Sequence, residues 1–102
     1  MALDFAVLTE DGSSANIVSL GPDQHDELMN LATQLKLSSL LRFEDYFEEI
    51  DLTVAELPGL AEELNIVDKS KPTPEIAKFA HDLRGLLSLA ARRNQPLIAV
   101  PD

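Results

Sequence analysis

Between Ile76 and Ala90 an apolar side chain recurs every third or fourth position: Ile76, Phe79, Ala80, Leu83, Leu86, Leu87 and Ala90. Only a helix gathers that spacing onto one face. Lys78, Asp82, Arg84 and Ser88 fall on the opposite side. Thr73-Pro74-Glu75 has the form of an N-cap followed by proline at the first helical position, and Arg92 and Arg93 close the last turn, where cations suit the carbonyl end of the helix dipole. A chain of 102 residues has room for one hydrophobic core. The rest of the sequence must therefore cover this stripe, and residues 1–102 are expected to form a single domain.

Upstream, two short apolar stretches, Leu3 to Leu8 and Ile17 to Leu20, flank a turn-forming segment that contains Asp11-Gly12. They predict a β-hairpin. Gly21-Pro22-Asp23 closes the second strand. Asp23 is the expected N-cap of a helix, with Asp26 and Glu27 in its first turn and Leu28, Leu31, Ala32 and Leu35 on its buried face. Residues 40–50 are ambiguous, because their aromatics suit strands while the spacing of Phe43, Tyr46, Phe47 and Ile50 suits a helix. The spacing favours the helix, which would turn Glu44, Asp45, Glu48 and Glu49 outward together. Thr53 and Glu56 read as a capping box before a further stripe, Leu57, Leu60, Ala61 and Leu64, with Pro58 expected to distort its first turn. Leu97 to Val100 reads as a final strand that needs a sheet to join. The expected order is β-β-α-α-α-α-β, an α+β fold. In it a short antiparallel sheet, the N-terminal hairpin plus the C-terminal strand, packs against three or four helices.

Charge narrows the function. Eighteen Asp and Glu against eight Lys and Arg leave a formal charge of -10. Nucleic-acid binding rests on Lys and Arg neutralising phosphates, so this balance argues against nucleic acid and against anionic membranes as partners. It favours a basic protein, with association accelerated by electrostatic steering. With no cysteine, disulfides, thiolate chemistry and zinc-finger sites are excluded. Met1-Ala2-Leu3-Asp4-Phe5 carries an acid where a signal peptide carries bases, and no apolar run approaches a bilayer span. A cytoplasmic location is therefore expected.

Catalytic signatures are absent. His25 lies in Asp23-Gln24-His25-Asp26-Glu27, whose spacing matches no metal-ligand motif, and His81 reads as a boundary residue of the last helix. The acid pairs Glu44-Asp45, Glu48-Glu49 and Glu62-Glu63 could serve a hydrolase only if burial raised a pKa, and the periodicity places them on solvated faces. There is no glycine-rich phosphate loop and no Gly-x-Ser-x-Gly elbow. No cofactor, no metal and no enzymatic activity are expected.

What stands out is a run of one sign. Glu44, Asp45, Glu48, Glu49, Asp51, Glu56, Glu62 and Glu63 follow one another with no Lys or Arg between them. A solvated helix usually intersperses signs. These eight are the candidate partner-binding residues. The strings Leu3-Asp4-Phe5-Ala6-Val7-Leu8, His25 to Ala32, Leu41-Arg42-Phe43-Glu44-Asp45-Tyr46 and Glu56-Leu57-Pro58-Gly59-Leu60 together resemble the small acidic bacterial immunity proteins of polymorphic or contact-delivered toxin systems. The resemblance implies a toxin inhibitor whose acidic surface enters a basic cleft of a cognate protein toxin. Tyr46 would then be an aromatic anchor or a core residue. A regulatory or adaptor domain would use the same surface without a toxin, and a carboxylate-dependent hydrolase is the third reading. The chain is expected to be a monomer or a homodimer, since the run Leu86-Leu87-Ser88-Leu89 is wider than one buried stripe requires.

Overall fold

Alternation along Leu3–Leu8 (β1) sends Leu3, Phe5 and Val7 to one side, where each is buried, and Asp4 and Ala6 to the other. The structure, a computed structural model, describes residues 3–8, 14–45 and 48–101. β1 pairs antiparallel with Ser14–Leu20 (β2) on one side and with Leu97–Pro101 (β4) on the other. The N-terminal hairpin and the C-terminal strand thus share one sheet, as expected. The Asp11-Gly12 turn lies outside the described residues.

A fourth strand, Ile50–Leu52 (β3), completes the antiparallel order β2-β1-β4-β3. It corrects the helix expected over Phe43–Ile50. The helical segment there is only Ser38–Leu41 (α2); residues 42–45 turn out of it, and the chain is in the sheet again from Ile50. Two forces favour this outcome. A helix would set Glu44 over Glu48 and Asp45 over Glu49, like charges at i, i+4 that repel. The open edge of β4 instead accepts Ile50 opposite Ala99 and Leu52 opposite Leu97, and Leu52 becomes fully buried. The order is therefore β-β-α-α-β-α-α-β, still an α+β fold.

The remaining helices are Pro22–Leu35 (α1), Leu57–Lys69 (α3) and Pro74–Arg93 (α4). Gly21, not Asp23, is the N-cap of α1, because Pro22 fits the first helical position and draws the start two residues upstream. Gln24, at the third helical position, reaches back and accepts from the Gly21 amide at 3.0 Å, the return half of a capping box. Asp23 remains in the first turn, while Asp26 and Glu27 lie beyond it. Leu35, expected on the buried face, is exposed where α1 ends. The Thr53–Glu56 capping box is present, and it opens a 3-10 turn, Val54–Glu56, that runs straight into α3. Pro58 then sits within the first two positions of α3, where it disturbs no hydrogen bond. Thr73 caps α4 through Ile76 and donates its hydroxyl to Glu27 at 2.9 Å, tying α4 to α1.

The buried side chains form one cluster between the helices and the inner face of the sheet. At its centre Phe5 meets Phe43 and Phe79 edge-on, with ring centroids at 5.1 and 5.4 Å. Such contacts add about 0.5–1.5 kcal/mol each to the burial of the rings. α4 supplies the longest wall, burying all seven residues of its stripe over β2 and β1. Phe5→Ala is expected to lower unfolding stability by about 3–5 kcal/mol, read from urea titration, a large share of what a domain of this size possesses.

Candidate protein-binding surface

The acidic surface begins where the core ends. Phe43 is 1% exposed, and its backbone carbonyl accepts a hydrogen bond at 2.7 Å from Nε2 of His25, itself buried on α1. With a carbonyl as acceptor, that nitrogen carries the proton. His25 is thus a structural residue that fixes the root of the following loop. Beyond Phe43 the chain leaves the core, and Glu44, Asp45, Glu48 and Glu49 are exposed. Tyr46 and Phe47, including the proposed anchor role of Tyr46, lie outside the described residues. The chain re-enters structure at β3, where Ile50 and Leu52 face the core and Asp51 faces solvent.

Arg42 braces this region at the surface. Its guanidinium pairs with Glu56 and donates to the backbone carbonyl of Asp51 at 3.3 Å, linking the loop root, β3 and the 3-10 turn. Glu56 also accepts from the amide and hydroxyl of Thr53, at 3.1 and 3.0 Å. The Thr53 amide first, then its hydroxyl and the Arg42 charge, hold the Glu56 carboxyl below its ordinary value of 4.5. Glu63 is half-buried. Its two oxygens accept from the amides of Ser39 and Leu40, each at 2.9 Å, and so satisfy the otherwise unpaired start of α2.

The eight candidate acids therefore divide. Glu44, Asp45, Glu48, Glu49 and Asp51 are gathered on the loop and β3, and Glu62 is exposed on α3. Glu56, in its expected capping box, and Glu63, expected on a solvated face, hold backbone together. Among the described residues no cluster of three or more His, Asp or Glu side chains could hold a metal ion, and no helix is long and apolar enough to cross a membrane.

Sequence reasoning missed a second feature. An open groove of about 880 Å³ runs between β2 and α4, bordered by Ile17, Ser19, Lys78, His81, Leu89 and Arg92. Its signals were an uncharged strand, Ser14 to Leu20, and Gly85 in the middle of a long helix. No protein-family model matches the chain, and no curated protein or solved structure is detectably similar to it.

The division of the acids is testable by stability. Glu63→Ala should cost about 1–2 kcal/mol, the value of a lost helix cap, whereas Glu62→Ala should change stability by less than about 0.5 kcal/mol. For Glu56 the sign follows from its depressed pKa: the carboxylate stabilises the fold above the ordinary value of 4.5 and ceases to do so as pH falls through the lower folded value. In thermal melts across pH, Glu56→Gln should melt below the wild type at neutral pH and approach it in acid.

Proposed function

We propose that this protein is a bacterial immunity protein that binds a cognate toxin and blocks it without catalysing a reaction. The observation that supports this reading most is the loop from Glu44 to Glu49 with Asp51 beside it: five carboxylates, all exposed, on a segment held at both ends by the core. Such a segment presents negative charge between two fixed ends, and a partner meets it without first ordering its root. The complementary surface is a basic cleft of the kind an enzyme uses for nucleic acid or nucleotides, and filling it excludes the substrate. Concentrated charge of one sign speeds encounter and selects against acidic partners. The two proteins would meet in the cytoplasm.

Co-expression with the product of the adjacent reading frame tests this reading. The expected result is restored growth and a stoichiometric complex that weakens as salt rises. Glu48→Lys combined with Glu49→Lys should weaken the complex by about tenfold to a hundredfold in calorimetry, mainly at low salt, with no change in melting of the free protein. A resident cytoplasmic partner bound in place of a toxin would identify an adaptor. Absence of any complex and of rescue would overturn the inhibitor reading.

A further inference from the structure

The two edges of the sheet are treated differently. β3 is three residues long, carries Asp51 outward, and has a carbonyl covered by Arg42. Shortness, charge and cover are the usual means of blocking an edge from pairing with another chain. β2, the opposite edge, has seven residues, Ser-Ala-Asn-Ile-Val-Ser-Leu, with no charge and no proline, and among the described residues no strand lies beyond it. Ile17 on this edge is 57% exposed.

α4 packs over β2 and β1, so the groove beside it opens at this same edge. Gly85 borders the groove, and a methyl group built on it would meet nothing within 4 Å. Glycine weakens a helix interior, and nothing inside the monomer requires it here. A glycine in that setting suits the close approach of another backbone. The charges of the groove are balanced although the chain as a whole is at -10: Glu75 and Asp82 line it together with Lys78 and Arg92.

We propose that the β2 edge and the α4 groove form a homodimer interface, with two copies pairing β2 antiparallel about a two-fold axis normal to the sheet and packing α4 against α4. A second copy is the occupant these features fit. An uncharged strand can lie antiparallel to itself with no like charges opposed. Antiparallel α4 helices place Glu75 of one copy against Arg92 of the other, twice by symmetry, and in the same register bring the Gly85 region to the crossing. The groove is also the face on which two acidic molecules meet with balanced local charge.

Sedimentation equilibrium on the purified full chain, from micromolar to submillimolar concentration, tests the proposal without any partner. The expected result is reversible association toward twice the 11.2 kDa chain mass. Gly85→Arg places a large side chain into space the monomer leaves open, so it should weaken association by about tenfold to a hundredfold with helical content and melting of the monomer preserved. Ile17→Lys sets like charges beside each other across the axis and should act the same way through β2. A mass of one chain at every concentration would overturn the proposal, as would a dimer indifferent to both substitutions.

Discussion

The contact of Phe5 with Phe43 and Phe79 is the joint on which the molecule turns. Phe5 comes from the central strand pair, Phe43 from the segment that leads into the acidic loop, and Phe79 from the long helix. One side chain therefore sets the distance between the sheet, the loop root and the helical layer. Edge-on packing holds direction as well as area, because a ring quadrupole favours particular approaches where an aliphatic contact favours none.

The acidic loop shows how a small core can support a charged surface. Like charges crowded together repel, and the repulsion disfavours the helix that their spacing would otherwise allow. The chain resolves the conflict by burying Phe43, pinning its carbonyl to His25, and re-entering the sheet through Ile50 and Leu52. Arg42 then spans the gap between the two ends. Order at the ends of a loop lowers the entropy lost on binding, and exposed carboxylates in water retain their hydration until a partner displaces it. Placing charge outside and anchors inside separates the cost of folding from the cost of recognition.

What was legible in the sequence was local. The stripe of α4, its Thr73-Pro74 start, the Thr53–Glu56 box and the two strands of the hairpin are carried by neighbours within a few residues, and the structure contains each of them. The failures are nonlocal. Whether Ile50–Leu52 is helix or strand is decided by an edge that arrives forty-five residues later with Leu97. Along the chain Glu63 resembles a surface acid, because its partners, the amides of Ser39 and Leu40, stand on another element. Arg42 likewise reaches Glu56 from outside the acidic run. Acids counted along the chain are therefore not acids available to a partner, and two of the eight serve the backbone.

The topology also separates the two surfaces. The order β2-β1-β4-β3 puts the acidic loop and β3 at one edge of the sheet and the open strand β2 with its groove at the other. A dimer built on β2 would leave both acidic loops free and facing outward, so each copy could hold its own partner. The two associations would also respond oppositely to salt. Binding of a basic partner draws on attraction across opposite fields, which salt screens, whereas two chains at -10 approach against mutual repulsion, which salt relieves. On the two proposals together, charge would distinguish the interfaces physically: the acidic edge suits an unlike, basic molecule, and the other is neutral enough locally to accept a like one.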